Sequence, residues 1–151
     1  MTPALTAETW LPVLREALEH EGSFRFTLRG NSMRPTLPIE CTIEIHPLPH
    51  DTRPGALIVF ASRDSLIAHR LVAQHRDGWI AQGDGRLGPD ALLAPSQVFG
   101  VVTAAYLGTE QIWPGPLEGL LGAAWVARYH LLRPVRWGRR RLLAMLRGDL
   151  R

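Results

Sequence analysis

The sequence predicts a mainly β domain with helical segments at its two ends. Six short stretches between residues 24 and 106 carry apolar residues in alternation or in continuous runs, which is typical of strands. Turn residues separate these stretches, and the 151-residue chain contains 14 glycines and 12 prolines. The length is that of one compact domain, and 46% hydrophobic residues are enough to build a core.

The first element is predicted to be a helix over residues 6–21, because apolar residues recur there at intervals of three and four. Thr6 or Thr9 is expected to cap its start, and Gly22 is expected to end it. Pro12 is expected in the first turn, where a proline sacrifices no helical hydrogen bond. The apolar face consists of Trp10, Val13, Leu14, Ala17 and Leu18.

The strands are predicted in the middle of the chain. The first begins at Ser23, because Phe24, Phe26 and Leu28 alternate with polar residues. The continuous apolar run that follows Pro54-Gly55 indicates a more deeply buried strand. The other predicted strands are Thr42–His46, Ala56–Ala61, Leu66–Ala73, Trp79–Gln82 and Val98–Tyr106.

The C-terminal region is predicted to be helical. Pro114-Gly115-Pro116 breaks the β pattern, and apolar residues recur at helical spacing over residues 117–125. Pro134 is expected to interrupt the helix before a second helical stretch, Val135–Leu146. The expected regions are an N-terminal helix over 1–22 that packs on the body, a β domain over 23–112 and a basic amphipathic tail over 117–151.

The charged residues and the single cysteine exclude several kinds of chemistry. All 17 basic residues are arginine, so any mechanism that needs a lysine, such as a Ser/Lys dyad, is excluded. Cys41 is alone, so neither an internal disulfide nor a zinc site of several thiolates can form. Cys41 is expected to lie buried in a strand. No metal or cofactor is expected.

The basic charge is concentrated in the tail. Residues 1–127 carry 9 arginines and 13 acids, whereas residues 128–151 carry 8 arginines and one acid. With Trp125 and Trp137, this composition favours contact with an anionic membrane or a partner, ahead of a helix packed on the body and well ahead of nucleic-acid binding. No apolar run reaches the roughly 20 residues that span a bilayer. A cytoplasmic location, peripheral at the membrane, is therefore expected.

The segment Leu28–Pro38 carries the first chemical signal. It lies where a strand ends and a turn begins, with Gly30 allowing close backbone approach and Pro35 constraining the turn. Ser32 is thus presented at a strand edge with its backbone N–H near its own hydroxyl. A nucleophilic serine with an oxyanion donor needs this arrangement.

Two later segments hold groups that could assist Ser32. His69 lies within an apolar strand, and Asp84 and Asp90 lie in a glycine-rich loop. Taken separately, these residues also fit a core histidine and ordinary turn aspartates. Their order along the chain makes them informative.

In that order the motifs resemble those of the S24/S26 serine peptidases, the group of signal peptidase I and LexA. The group's Ser-Met-x-Pro-Thr-Leu box is matched by Ser32–Leu37, and the resemblance covers residues 24–106. The remaining matches are the Pro54-Gly55 turn, the base-bearing strand at His69–Val72, the Gly83-Asp84 loop with Asp90, and the Val-x-Gly-x-Val strand at Val98–Val102.

The resemblance implies a signal-peptidase/LexA-like β fold and a histidine base, as in the endoplasmic-reticulum and archaeal types. Ser32 would be the nucleophile and His69 the general base, since imidazole titrates near neutral pH. Asp90 is favoured to orient His69, with Asp84 as the alternative; otherwise Asp84 holds the Gly-Asp loop. The residues expected around the oxyanion and the bound substrate are Gly30, Met33 and Pro35.

The favoured hypothesis is a serine endopeptidase that removes a leader or propeptide bound as an extended strand. Without a membrane anchor, it would be a maturation protease dedicated to one peptide or protein. The alternative is a peptide-binding module on the same fold that does not cut. A self-cleaving regulator like LexA is disfavoured, because the chain has no lysine and no N-terminal DNA-binding region.

Overall fold

An antiparallel sheet of seven strands forms the body of the protein. The computed structural model describes residues 7–63 and 65–146, with side chains at 11–63 and 65–134. The mainly β fold expected from the sequence is confirmed. In chain order the elements are α1 (Ala7–Glu21), β1 (Phe24–Arg29), β2 (Glu40–Pro47), β3 (Leu57–Ser62), β4 (Ser65–His75), β5 (Gly78–Gln82), β6 (Val98–Leu107), β7 (Glu110–Trp113) and α2 (Glu118–Leu146).

The strands do not follow chain order across the sheet. The spatial order is β1-β2-β6-β3-β4-β5, and β7 pairs with β6. β1, which leads into the Ser32 turn, is therefore an edge strand, whereas His69 lies on β4 near the opposite edge. These two regions can meet only if the sheet curls. The register shifts between Glu44 and Ile45 and between Val59 and Phe60 are bulges of the kind that bend strands.

The six predicted strands are all present, but the sequence does not predict β7. This strand has only four residues, two of which are exposed and polar, so it lacks a period-two pattern long enough to recognise. It forms a hairpin with β6 through Gly108, whose φ of +58° places it in the left-handed region.

The helix α1 differs from the expectation at its start. Pro12 is the sixth residue of the helix and not part of the first turn. Pro12 is exposed, and it deprives the helix of one backbone hydrogen bond. Gly22 ends the helix as expected, with a φ of +75° and its N–H bonded to the Leu18 carbonyl at 3.1 Å. Thr6 and the side chains of Thr9 and Trp10 lie outside the described residues.

The expected interruption at Pro134 is wrong, because α2 is one continuous helix of 29 residues. A proline removes only its own N–H from the helical ladder, and the exposed face leaves room for its ring. The backbone bonds on either side are enough to carry the helix through. The side chain of Trp137 and residues 147–151 of the expected tail lie outside the described residues.

The main core joins α1 to the sheet and to the Ser32 turn. Ile43 and Ile45 of β2 are fully buried, and Leu14 and Leu18 of α1 pack into the same cluster. Cys41 is buried in β2, as expected from the sequence. The members of the cluster that come from the turn are Met33 and Leu37. The serine turn is therefore anchored by the core.

Shortening a core isoleucine should cost far more stability than shortening an exposed one. We expect Ile45→Ala to lower the free energy of unfolding by about 2–5 kcal/mol, because it removes buried methyl groups and leaves a cavity. Ile39→Ala, at a side chain that is 55% exposed, should cost less than about 0.5 kcal/mol. Urea unfolding followed by circular dichroism measures both, and equal losses would contradict the core assignment.

Candidate active site

Ser32 lies in a turn that is held at both ends. Before it, Gly30 has a φ of +134° and donates its N–H to the Ile39 carbonyl at 2.8 Å. Within and after the turn, Met33 and Leu37 are buried at 2% and 0% exposure, and the Leu37 N–H bonds the Met33 carbonyl. The Ser32 side chain itself is half-buried at the surface of the protein.

His69 faces Ser32 from the middle of β4. Its side chain is only 1% exposed, and its ring packs edge-on against Phe60 with the ring centroids 6.0 Å apart. Nε2 lies 3.0 Å from the Ser32 Oγ. Sequence positions 37 residues apart are thus brought within hydrogen-bond distance, as the sequence predicts.

Asp90 contacts the other nitrogen of His69. The distance from Nδ1 to the Asp90 Oδ2 is 2.5 Å, and the Asp90 side chain is 20% exposed. The Asp90 backbone N–H bonds the Ala81 carbonyl at 2.9 Å, which ties this loop residue to β5. Of the two acids considered from the sequence, Asp90 is therefore the one that contacts His69.

Asp84 instead forms a buried ion pair with Arg70. The Arg70 Nε lies 2.9 Å from Oδ1 and Nη2 lies 2.7 Å from Oδ2, which is a bidentate geometry. Both side chains are at most 1% exposed. The Thr36 hydroxyl donates to the same carboxylate, so Asp84 links the Gly-Asp loop to the serine turn.

The remaining Arg70 donors bind two other parts of the chain. Nη1 donates to the Gly55 carbonyl at 2.8 Å and to Glu118 Oε1, in the first turn of α2, at 2.6 Å. Burial disfavours the charged guanidinium, but the hydrogen bonds and charges of Asp84 and Glu118 outweigh burial, so the pKa of Arg70 is raised. Arg128 of α2 adds a hydrogen bond to the Asp84 carbonyl at 3.0 Å.

Two glycines allow the Gly-Asp loop to lie against the serine turn. A Cβ at Gly83 would fall 2.4 Å from the Ser32 carbonyl oxygen and 3.0 Å from the His69 Nε2. A Cβ at Gly85 would fall 2.8 Å from the Arg34 carbonyl oxygen, and the Gly85 N–H bonds the Ser32 carbonyl at 2.8 Å. Only glycine fits at Gly83 without moving the serine or the histidine.

A cleft of about 590 Å³ opens over Ser32 and Asp90. Asn31 and the loop from Gly85 to Pro89 form its other walls. Within the described part of the chain, no group of three or more His, Cys, Asp or Glu residues could hold a metal ion.

The three residues expected around a substrate lie in different surroundings. Gly30 is exposed beside the turn, at the end of β1. The Met33 side chain is in the core, so only its backbone can reach a ligand. Pro35 lies on the far side of the turn, where it lines a separate apolar groove with Trp113 and Trp125.

Sequence reasoning does not find Arg70, Thr36 and Glu118 as residues that hold the site. One signal was available, because an arginine inside the apolar strand 66–73 has to be paired if it is buried. Nothing in the sequence indicates that its partners come from a loop and from a helix beyond Pro116.

Comparison with family models, with curated proteins and with solved structures returned no match.

Breaking the buried ion pair should destabilise the whole protein. We expect Asp84→Asn to lower the free energy of unfolding by about 3–5 kcal/mol, because it removes the bidentate carboxylate of the buried Arg70 and leaves Glu118 as its remaining acidic partner. Asp77→Asn, in the exposed turn before β5, is the matched control and should change stability by less than about 0.5 kcal/mol. Thermal and urea unfolding measure both variants. If Asp84→Asn unfolds like the control, the ion pair is not what holds the loop.

Proposed function

We propose that this protein is a serine endopeptidase in which Ser32, His69 and Asp90 act as nucleophile, general base and orienting acid. The observation that supports this most directly is the chain of two contacts, 3.0 Å from Ser32 to His69 and 2.5 Å from His69 to Asp90. Nucleophile, base and orienter in this mutual geometry define a Ser-His-Asp site.

His69 can accept the hydroxyl proton of Ser32, so the reaction needs no lysine. The Asp90 carboxylate accepts the Nδ1–H of His69, which leaves Nε2 unprotonated and facing the Ser32 hydroxyl. When Oγ bonds to the scissile carbonyl carbon, Nε2 takes the hydroxyl proton. It then gives that proton to the leaving amine as the C–N bond breaks. Water hydrolyses the resulting ester by the same route, releasing the acid and restoring Ser32.

The oxyanion is expected to be stabilised by backbone N–H groups. Gly30, two residues before the nucleophile, has no side chain that could donate a hydrogen bond. The Ser32 backbone N–H has no acceptor among the described residues, so it is free to bind a developing negative charge. The Gly85 N–H bonds the Ser32 carbonyl, which belongs to the next peptide unit, and so fixes the backbone directly after the nucleophile.

The substrate is proposed to be a peptide segment in extended conformation. β1 pairs with β2 alone among the described strands, so its other edge presents unpaired backbone groups. A peptide added along that edge would run toward Ser32, since β1 ends at Arg29 and the serine follows three residues later. A leader or propeptide with an unfolded cleavage site has the required flexibility, and the motifs shared with signal peptidases favour such a substrate.

Replacing the nucleophile or the base should abolish cleavage of peptides. We expect Ser32→Ala and His69→Ala each to lower kcat/KM by at least about 10³-fold in a diverse peptide mixture read by mass spectrometry. Ser96→Ala and His75→Ala replace exposed residues and are the matched controls. Cleavage that persists in Ser32→Ala would contradict the proposal. Peptide binding that is intact in every variant, with no cleavage by the wild type, would identify a binding module instead.

Replacing Asp90 should lower turnover while the fold remains intact. Asp90→Asn is expected to lower kcat by about 10⁴-fold, because an amide in that position favours the wrong tautomer of His69. Asp77→Asn should leave kcat unchanged. If Asp90→Asn keeps full activity, Asp90 does not orient the base.

Gly83 provides a test of the site geometry. Gly83→Ala should lower kcat by at least about 10²-fold, because the new methyl group displaces the Ser32 carbonyl and the His69 ring from alignment. Gly119→Ala, at an exposed position of α2 where a Cβ would meet nothing within 4 Å, is the control and should leave kcat unchanged. Equal activity in the two variants would show that the close approach at Gly83 does not matter for catalysis.

A further inference from the structure

α2 carries a row of exposed leucines along the part of the helix nearest the body. Leu117 just before the helix and Leu120, Leu121 and Leu131 within it are 60%, 71%, 50% and 76% exposed. Leu120 and Leu121 follow Leu117 by three and four residues, and Leu131 follows Leu121 by ten. These spacings place the four leucines on one face of a helix, together with Ala124. Arg128 lies on the same face between Leu121 and Leu131. Several large apolar side chains exposed along one helix indicate a surface that binds a partner or a membrane.

The opposite face of α2 already packs on the body. Tyr129 is 5% exposed and packs with Val72 and Ala73 of β4. At Gly122 the helix approaches so closely that a Cβ would lie 2.9 Å from the Arg70 Nη1. The helix cannot rotate to bury its leucines without breaking these contacts and the Glu118–Arg70 ion pair. Leu120 and Leu131 therefore point to solvent on a fixed helix, whereas Leu117 and Leu121 border the groove between the helix and the serine turn.

The charge of the tail identifies what would cover this face. Residues 128–151 carry 8 arginines and one acid, while residues 1–127 have four more acids than arginines. We propose that α2 docks on an anionic lipid bilayer, with the leucine row in the acyl boundary and the arginines of the tail attracted to lipid headgroups. No helix in residues 7–63 and 65–146 is long and apolar enough to cross a membrane.

Docking of α2 would also place the candidate active site close to the bilayer surface. The leucine row is continuous with an apolar groove of about 650 Å³ that Leu117, Leu121 and Trp125 form with Pro35 of the serine turn. Pro35 follows Ser32 by three residues. The serine turn would thus lie near the membrane surface, with the cleft on the other side of the turn. The docking itself does not depend on the proposed peptidase activity, so the two can fail separately.

Co-sedimentation of the 151-residue chain with vesicles tests the docking. We expect binding to vesicles of 7:3 phosphatidylcholine and phosphatidylglycerol, little binding to pure phosphatidylcholine, and release by added salt. The double variant Leu120→Glu/Leu131→Glu should bind anionic vesicles at least about tenfold more weakly. The control Val13→Glu/Leu107→Glu adds the same charge at side chains that are 63% and 49% exposed elsewhere, and should lose much less.

Three results would overturn the proposal. The first is wild-type protein that does not bind anionic vesicles, and the second is equal loss of binding in the two double variants. The third is a dimer of the wild type, measured by sedimentation velocity without lipid, together with a monomeric leucine-row variant, a dimeric control variant and no vesicle binding. That combination would show that a second copy of the chain covers this face. Circular dichroism and urea unfolding that match the wild type show that the leucine-row variant is folded, whether or not the protein cleaves peptides.

Discussion

The buried guanidinium of Arg70 is the interaction on which the rest of the structure depends. It binds the Asp84 carboxylate in a bidentate pair, the carbonyl before β3 and Glu118 at the start of α2. A charge with no exposure to water is tolerated only when its donors are paired, so the parts of the chain around it must be in place together. Through Thr36, the same carboxylate also holds the serine turn. One ion pair therefore connects strand, loop, turn and helix.

Strand β4 supplies both His69, the proposed base, and Arg70, the centre of this ion pair, from adjacent positions. Neighbouring side chains on a strand point to opposite faces, so His69 faces Ser32 while Arg70 faces Asp84 and α2. A shift of register by one residue would exchange these two faces, so His69 would no longer contact Ser32 and Arg70 would no longer bind Asp84. The β4 register against β3, in which His69 opposes Ile58, is thus a condition for the site as well as for the core.

The helix α2 belongs to the site and to the surface of the protein at the same time. Its inner face joins the ion pair through Glu118, and Arg128 reaches the backbone of the Gly-Asp loop. Its outer face carries Leu120 and Leu131 of the leucine row. Because the contacts of the inner face fix the helix on the body, the exposed leucines keep a constant orientation, and an interaction surface requires such an orientation. The same attachment gives the serine turn a fixed position relative to that surface.

The sequence by itself determined the class of the fold and the six longer strands, because period-two patterns and turn residues are local signals. It gave the candidates Ser32, His69, Asp84 and Asp90 only through an order of motifs that resembles the S24/S26 peptidases. The tertiary structure alone decided which acid contacts His69, since both acids lie in one loop and only its path across β5 brings Asp90 to the imidazole. It likewise decided that Arg70 is paired to Glu118 and that α2 continues through Pro134. These features depend on contacts between distant segments and on which side of a helix is exposed. Local sequence patterns indicate neither of these.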